Sequence, residues 1–271
     1  MRGKSMSVLV VESLDGPELQ PYRNLKHHVQ QGADDFVVES TMVIERLLAS
    51  DFSVHSLLLT PNRFESLRAQ IPAHIPVFLA EKPLLSKIAG FDVHRGCLAR
   101  AAAPRAQRSL TDALAGRTLG TVLLMEGLSD PANVGMMIRN AMAFGVDLIV
   151  SDPKGASPFS RRAARTSAGH IFNIPIVEHP PLDALHVIKK HTPSIEFIAA
   201  TPAPSAQALE DFQRSGPVGL LVGNEGTGLS EQTLKAADHR VRIPMAHGVD
   251  SLNASASAAV FLYALNQSVS C

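Results

Sequence analysis

Short, continuous apolar runs alternate with segments of helix length through the second half of the chain. Such runs are typical of strands buried on both faces of a parallel sheet, whose crossover connections are helices. A parallel sheet binds ligands at the carboxyl ends of its strands, so the segments after these runs are the first candidates for a site. The expected strands lie at residues 121–125, 146–150, 174–177, 196–200, 218–222 and 240–243.

The first half of the chain shows a shorter version of the same alternation. It predicts a small α/β domain with a largely parallel sheet. The expected strands are residues 54–60, 76–80 and 96–101, and the expected helices are residues 41–49, 61–70 and 83–89. We expect an N-terminal domain at residues 1–102, a linker at 103–118 and a C-terminal α/β domain at 119–271.

Composition excludes several classes of protein. No apolar run approaches the roughly 18 residues of a membrane helix, and the N-terminus has no apolar region of the kind found in signal peptides. The two cysteines, Cys97 and Cys271, are too few for a disulfide framework or a zinc site, and the eleven histidines are scattered. We therefore expect a cytoplasmic protein with no metal and no membrane attachment.

Charge places a limit on how the chain could bind nucleic acid. Lys plus Arg equals Asp plus Glu at 25 each, so any RNA contact must depend on a local patch. The best candidate is residues 160–169, where Arg161, Arg162 and Arg165 would share one side of a helix. A solvated helix face is the alternative, but the absence of acidic residues favours phosphate contact.

A first motif begins at Asn133, in a helix predicted for residues 133–144 and ended by Gly145. Asn133 is either the cap of this helix or a polar site residue. Arg139 stands among methionine, isoleucine and alanine side chains, which predicts a buried guanidinium that needs an anionic partner. An arginine that extends to the surface is the alternative.

A second motif, residues 223–230, follows the strand expected at 218–222. It resembles a phosphate-binding P-loop, but Leu229 stands where the lysine should be and Glu225 would bring negative charge to a phosphate. We therefore favour a glycine-rich loop that surrounds a small ligand, with Glu225 as its polar contact. Ser230 is expected to cap the next helix.

A third motif runs from Ile243 through Met245 to residues 251–255. Ser251 is expected to begin and cap a final helix that extends to about residue 267, and Asn253 would lie in its first turn. Because asparagine is a poor helix former, Asn253 is a candidate for a second role. The small residues at 254–259 indicate either a close helix crossing or a contact between subunits.

In their order and spacing, the three motifs resemble those of the SpoU (TrmH-like) RNA 2′-O-ribose methyltransferases of the SPOUT superfamily. The resemblance covers residues 119–267 and implies a deep trefoil knot, bound S-adenosylmethionine and a homodimer. The N-terminal domain is similar to the small ribosomal-protein-like domain with which several of these enzymes bind RNA, and residues 94–96 stand at the family's His-x-Gly stretch. Asp250 departs from the glutamate that many members have before the motif serine.

The resemblance implies three groups of site residues. Those expected to act in catalysis are Arg139, Asn133, Glu225, Ser251 and Asn253. Those expected to hold S-adenosylmethionine are Leu221, Val222, Gly223, Asn224, Gly226, Ile243, Met245, Ser251, Leu252 and Asn253. Those expected to contact RNA are Arg139, Arg161, Arg162 and Arg165.

The expected reaction is methylation of a ribose 2′-hydroxyl in structured RNA, with ribosomal RNA preferred to transfer RNA. Because a guanidinium resists deprotonation, we expect Arg139 to hold phosphate and stabilise developing negative charge. The proton acceptor stays open among Arg139, an RNA phosphate and water. The alternatives are transfer RNA as substrate, a catalytically silent module that binds S-adenosylmethionine and RNA, and, more remotely, a P-loop-like nucleotide-binding protein.

Overall fold

A computed structural model gives the fold of the chain and describes residues 6–25, 35–103 and 109–267. Within these residues the strands are β1 (Val8–Val10), β2 (Asp35–Glu39), β3 (Val54–Leu59), β4 (Val77–Leu79), β5 (Cys97–Ala102), β6 (Thr121–Met125), β7 (Leu148–Ser151), β8 (Ile176–Glu178), β9 (Glu196–Ala200), β10 (Gln207–Ala208), β11 (Val218–Val222) and β12 (His239–Arg242). The α-helices are α1 (Thr41–Leu48), α2 (Pro61–Leu67), α3 (Lys82–Ala89), α4 (Leu110–Leu114), α5 (Pro131–Ala143), α6 (Arg161–Thr166), α7 (Pro181–His191), α8 (Glu231–Ala236) and α9 (Ala254–Gln267).

The chain forms two compact units. The first comprises Met1–Arg105 and Phe159–Phe172, and the second comprises Ala106–Pro158 and Asn173–Cys271. The segment Phe159–Phe172, which the sequence places inside the C-terminal domain, is thus grouped with the first unit. Residues 104–108 of the expected linker lie outside the described residues, as does Cys271.

The sheet of the first unit has the strand order β1-β4-β3-β5-β2. Its β1–β4 and β3–β4 pairs are parallel, whereas β2–β5 and β3–β5 are antiparallel, so the expectation of a largely parallel sheet was wrong. The reason lies in the connection before β5. It returns the chain to the carboxyl end of β3, where the Gly96 carbonyl accepts a hydrogen bond of 2.9 Å from the Thr60 N–H. β5 therefore begins at that end and runs back along β3.

Four phenylalanines explain why Phe159–Phe172 belongs to the first unit. The Phe36 ring of β2 lies 5.6 Å from the Phe159 ring and 6.0 Å from the Phe172 ring, measured between centroids. Phe52 contacts the same two rings at 6.0 and 5.2 Å. Aromatic pairs at these separations are favourable beyond the area that they bury. Phe159–Phe172 therefore completes a core that the first hundred residues begin.

The second unit contains a seven-stranded sheet in the order β10-β12-β9-β11-β6-β7-β8. All six neighbouring pairs are parallel, which confirms the prediction of a parallel sheet in this half. The six strands that the sequence predicted are present, and the two-residue β10 was not foreseen. Parallel strands end at one edge, so the loops after β6, β11 and β12 meet on that side of the sheet.

Two helix starts differ from their predictions. α5 begins at Pro131 because the Asp130 carboxylate accepts a 2.9 Å hydrogen bond from the Ala132 N–H, so the interpretation of Asn133 as its cap was wrong. α9 begins at Ala254, where Asn253 Oδ1 accepts from the Ser255 N–H at 2.9 Å, so Ser251 neither begins nor caps this helix. The predicted end of α5 is confirmed, since Gly145 has a φ of 67°.

Every helix within the described ranges is too short or too polar to cross a lipid bilayer.

Candidate active site

A chain of side-chain hydrogen bonds joins the three motifs at the carboxyl edge of the second unit's sheet. Asn133 Nδ2 on α5 donates to Glu225 Oε1 at 2.9 Å. Asn133 Oδ1 accepts from Asn253 Nδ2 at 3.0 Å. The three residues are 92 and 120 positions apart in these pairs, so the fold alone brings them together. Asn133 is buried, whereas Glu225 and Asn253 are exposed at the edge.

Glu225 is held as an anion by the start of α5. Its carboxylate accepts hydrogen bonds from the N–H and hydroxyl of Ser129, both at 3.0 Å, and from the Asp130 N–H at 3.3 Å. Partial burial alone would raise the pKa of Glu225, but the hydrogen bonds from Asn133, Ser129 and Asp130 outweigh it and lower the pKa from 4.5 to about 2. Glu225 is therefore ionised at neutral pH and can only accept hydrogen bonds.

The loop after β11 closes tightly upon itself. A Cβ atom at Gly223 would lie 2.3 Å from the backbone of Gly228 and Leu229, so only glycine fits there. Asn224 Oδ1 accepts from the N–H groups of Gly226 and Thr227 at 2.8 and 3.0 Å. Its Nδ2 donates to the Gly127 carbonyl at 2.7 Å, which ties this loop to the one after β6. The Asn224 side chain thus supports the loop from within.

The segment after β12 presents both apolar and polar groups. Ile243 and Met245 are half-buried, whereas Ser251 and Leu252 are exposed. By contrast, Leu221 and Val222 at the end of β11 are buried. Ser230 caps α8, since its hydroxyl accepts from the Thr233 N–H at 3.2 Å, and this confirms its predicted structural role.

Arg139 does not have the environment that the sequence suggested. It is exposed on α5, and it makes no hydrogen bond or ion pair with the residues that the structure describes, so the expectation of a buried guanidinium was wrong. Six residues of helix turn it about 120° away from Asn133 around the axis. Arg139 shares its exposed face with Met136 and Met142, three residues before and after it.

The basic residues on α6 are already engaged within the first unit. The Arg161 and Arg165 guanidinium groups pair with the nearly buried Glu39 carboxylate at 3.0 and 2.8 Å. Arg161 also lies 4.0 Å above the centre of the Phe91 ring. Arg162 is exposed. The absence of acidic residues along this helix was therefore misleading, because its counter-charge comes from β2.

Three polar residues at the site were missed by sequence reasoning. Ser129 binds Glu225, as described above. Ser255 Oγ donates to Asn253 Oδ1 at 2.6 Å, and Asn140 Nδ2 donates to the Ser255 carbonyl at 3.0 Å. Ser255 stood in the small-residue stretch of α9 beside Ser257, and the sequence did not distinguish the two serines. Nothing in the sequence marked Ser129 or Asn140 as a site residue except that both lie close to the first motif.

No metal site is formed by the part of the chain that the structure describes, since no three His, Cys, Asp or Glu side chains are grouped there.

The parallel sheet, the closed glycine loop and the hydrogen-bonded motifs form one candidate ligand site at the carboxyl edge of the sheet. A model of the SpoU rRNA Methylase family matches residues 120–263, which is more than half of the chain. The chain belongs to this family. An uncharacterised tRNA/rRNA methyltransferase of Mycobacterium tuberculosis is 33% identical to it over 261 residues, which cover 92% of this chain and 88% of the relative.

Solved structures share the fold. The SpoU methyltransferase AviRb from Streptomyces viridochromogenes, crystallised with S-adenosylmethionine, is 23% identical with a TM-score of 0.80, covering 94% of this chain and 99% of its own. A structure described as an RNA 2′-O ribose methyltransferase is 27% identical with a TM-score of 0.74, covering 97% and 99%. Enzymes of this family take their methyl group from S-adenosylmethionine.

The residues at the edge of the sheet fit such a cofactor. An adenosyl group needs apolar contact and backbone hydrogen bonds, and S-adenosylmethionine also carries a carboxylate and an ammonium group. Leu252 exposes 39% of its surface beside polar motif residues, and Ile243 and Met245 are half-buried. The glycine loop offers backbone without side chains at Gly226 and Gly228. This is a mixed donor set suited to a nucleoside-like ligand.

Proposed function

We propose that the protein transfers the methyl group of S-adenosylmethionine to a ribose 2′-hydroxyl of structured RNA, with ribosomal RNA preferred to transfer RNA. The observation that carries the proposal is the pair of hydrogen bonds that joins Glu225, Asn133 and Asn253 at the carboxyl edge of a parallel sheet. The start of α5 and two loops distant in sequence are thereby fixed around one place, which is what methyl transfer by positioning requires. Membership of an RNA methyltransferase family supports the class of reaction.

We assign the cofactor to the loops after β11 and β12. Leu221, Val222, Gly223, Asn224 and Gly226 would supply the wall and backbone of one side. Ile243, Met245, Ser251, Leu252 and Asn253 would supply the other. We also propose the deep trefoil knot of this superfamily for the second unit. In its favour, β12 lies two positions from β11 in the order of the sheet. The segment after β12 nevertheless contacts the start of α5, through the hydrogen bond between Asn253 and Asn133.

The reaction forms a bond between the ribose oxygen and the methyl carbon, and breaks the bond between that carbon and the sulfonium sulfur. S-adenosylmethionine supplies the electrophilic methyl group and leaves as S-adenosylhomocysteine, and the hydroxyl proton passes to an acceptor for which Arg139, an RNA phosphate and water are the candidates. Arg139 is exposed and without a protein partner among the described residues, so its planar guanidinium is available for a phosphate. There it would hold the RNA and stabilise negative charge on the reacting oxygen.

We propose a homodimer that forms through α5 and α9. These helices pack together, and they expose Met136, Met142, Val260 and Tyr263. Exposed apolar side chains on adjacent helices are typical of a protein interface. The small residues of α9 support the helix crossing instead, since Ser255 and Ala258 are buried. Arg139 lies on the exposed face of α5, so a dimer of this kind would place it at the junction of the two copies.

RNA selection is assigned to the first unit. Because the net charge of the chain is zero, we expect recognition by shape and a few contacts rather than by bulk attraction. Arg95 is exposed, and its carbonyl accepts a 2.9 Å hydrogen bond from Arg63 Nε, which fixes the loop that presents it. Arg162 and Arg165 are further candidates. Arg165 uses one of its five N–H groups on Glu39 and retains donors for a phosphate.

A methyl-transfer assay tests the proposal. Total RNA from a strain that lacks the gene, incubated with the protein and tritiated S-adenosylmethionine, should gain label that resists alkali at one internucleotide bond. That resistance is diagnostic of a methylated 2′-hydroxyl. Fractionation of the product would distinguish ribosomal from transfer RNA. Cofactor binding without label in any RNA would favour a silent binding module. Label that is released with the free nucleobase would show that the methyl group is on the nucleobase and not on the ribose.

A further inference from the structure

Ser255 is a buried polar residue where α5 and α9 cross. Only 5% of its surface is exposed. Its carbonyl accepts from Asn140 Nδ2 at 3.0 Å, and its hydroxyl lies 3.9 Å from the Met136 sulfur. A neighbour on α5 thus holds the main chain of Ser255, and another confines its side chain. The orientation of its hydroxyl is therefore restricted.

The Ser255 hydroxyl donates to Asn253 Oδ1 at 2.6 Å. The N–H groups of Ser255 and Ala256 donate to the same oxygen at 2.9 and 3.3 Å. An asparagine amide has an accepting end and a donating end of nearly equal size, so its orientation is set by its partners. The two N–H groups can only donate, so they require that end to be the oxygen, and the Ser255 hydroxyl adds a third hydrogen bond that holds the amide in this orientation.

The opposite end of the hydrogen-bond chain agrees with this orientation. Glu225 accepts only, so the Asn133 nitrogen faces it and the Asn133 oxygen faces Asn253. Hydrogen bonds therefore run in one direction, from Ser255 through Asn253 and Asn133 to Glu225. Reversal of either amide would bring two donors or two acceptors together, which a partly buried site tolerates poorly.

This direction decides what Asn253 offers to a ligand. Its Nδ2 uses one hydrogen on Asn133, and the second has no acceptor among the residues that the structure describes. Asn253 is exposed in the segment assigned to the cofactor, so a ligand bound there is the candidate acceptor for this N–H. The N–H would donate a hydrogen bond to a ligand oxygen, whether of a ribose hydroxyl, a carboxylate or a phosphate.

We propose that Ser255 is a positioning residue for methyl transfer, whose hydroxyl fixes the Asn253 amide so that its N–H is presented to a ligand oxygen. The proposal depends on the function proposed above. Ser255 does not touch the reacting atoms and acts only through Asn253.

The test compares Ser255→Ala and Ser255→Cys with Ser257→Ala in the full-length chain. Ser257 lies on the same helix, and its side chain makes no hydrogen bond to the described residues. Cysteine is somewhat larger than serine and only a weak donor, so it fills the site without a strong hydrogen bond and gives a second variant if the alanine variant is unstable. Single-turnover transfer to total RNA at saturating S-adenosylmethionine and side-chain amide NMR are the two measurements.

We expect both Ser255 variants to transfer methyl groups about tenfold more slowly, the effect of one ordinary hydrogen bond, and Ser257→Ala to match the wild type. The Asn253 and Asn133 amide resonances should shift only in the Ser255 variants. A wild-type rate in Ser255→Cys, or unchanged amide resonances, would overturn the positioning role. Absence of transfer by the wild type would instead count against the proposed function, while the NMR comparison would still decide the orientation of Asn253.

Discussion

At the scale of single residues, the site depends on the match between an anion and its donors. Glu225 gathers hydrogen bonds from Ser129, Asp130 and Asn133 at the start of α5. This leaves the carboxylate fully engaged, so its main contribution is to hold two loops together. Arg139 is the opposite case, an exposed cation with no partner among the described residues. One residue therefore builds the site, and the other is available to a substrate.

Replacement of Arg139 tests its assignment. We expect Arg139→Ala to leave S-adenosylmethionine affinity nearly unchanged and to slow methyl transfer by at least about a hundredfold, the loss seen when one preorganised electrostatic donor is removed. Arg139→Lys should restore little, since a point charge does not reproduce a planar fork. Single-turnover assays measure both. Arg117→Ala, at an exposed arginine after α4, is the control. Near-wild-type transfer by Arg139→Ala would remove Arg139 from the reaction.

The lowered pKa of Glu225 predicts a pH dependence of stability. Because the folded-state pKa of about 2 lies below the ordinary 4.5, the stabilisation is complete above about pH 4.5 and is lost as pH falls toward 2. Wild type should therefore exceed Glu225→Gln in stability at pH 6, and the difference should shrink through this window. Denaturant unfolding at several pH values measures it. A difference that stays constant from pH 6 to pH 2.5 would contradict the assignment.

At the scale of elements, helix boundaries and faces were harder to predict than strands. The strands of the second unit were predictable because burial on both faces produces uninterrupted apolar runs. The start of α9 was not, because Ser251 and Asn253 are both good capping residues and only the fold selects Asn253. The exposure of Arg139 was missed because Met136 and Met142 are apolar yet face outward.

Those outward-facing residues predict the oligomeric state. We expect the wild type to sediment as a dimer at micromolar concentration. Val260→Glu with Tyr263→Glu should give a folded monomer, because two carboxylates would be desolvated in the interface. Met42→Glu, at an equally exposed apolar residue of the first unit, should remain dimeric. A double variant that still dimerises would move the interface away from α9.

The ion pairs of Glu39 predict the strength with which α6 is held. Glu39→Ala leaves Arg161 and Arg165 without their carboxylate, and we expect a loss of about 2 kcal/mol in the free energy of unfolding, between the values for exposed and buried pairs. Thermal unfolding followed by circular dichroism would measure it. Glu45→Ala on α1 is the control, since that side chain makes no such pair with the described residues. Equal effects of the two substitutions would show that the ion pairs contribute little.

At the scale of the whole molecule, the sequence predicted the parallel sheet of the second unit and the family, but not which segments make up each of the two compact units. The proximity of Asn133, Glu225 and Asn253 was predictable, because each follows a strand of one parallel sheet, and their roles as site residues stay predictions. The inclusion of Phe159–Phe172 in the first unit was not visible. It depends on aromatic contacts and on Glu39, which pair residues more than a hundred positions apart. Long-range pairing of this kind leaves no local pattern.

Substitution of Arg95 tests whether the first unit selects RNA. We expect Arg95→Glu to lower RNA affinity at least about tenfold at 0.1 M salt and to leave S-adenosylmethionine affinity unchanged, since one phosphate contact becomes a repulsion. Filter binding and calorimetry measure the two affinities. Arg117→Glu makes the same charge change in the second unit and should have little effect. If both variants bind RNA alike, recognition lies elsewhere.

The aromatic core shared by Phe36, Phe52, Phe159 and Phe172 has a consequence for the order in which the protein is made. Domains generally fold in sequence as they leave the ribosome. Here the first unit lacks part of its own core until residue 172 has been synthesised, by which point β6 and β7 of the second unit already exist. The first unit therefore cannot complete its core before two strands of the second unit have been synthesised. For the same reason, an exchange of the first unit between relatives would have to carry the segment 159–172 with it.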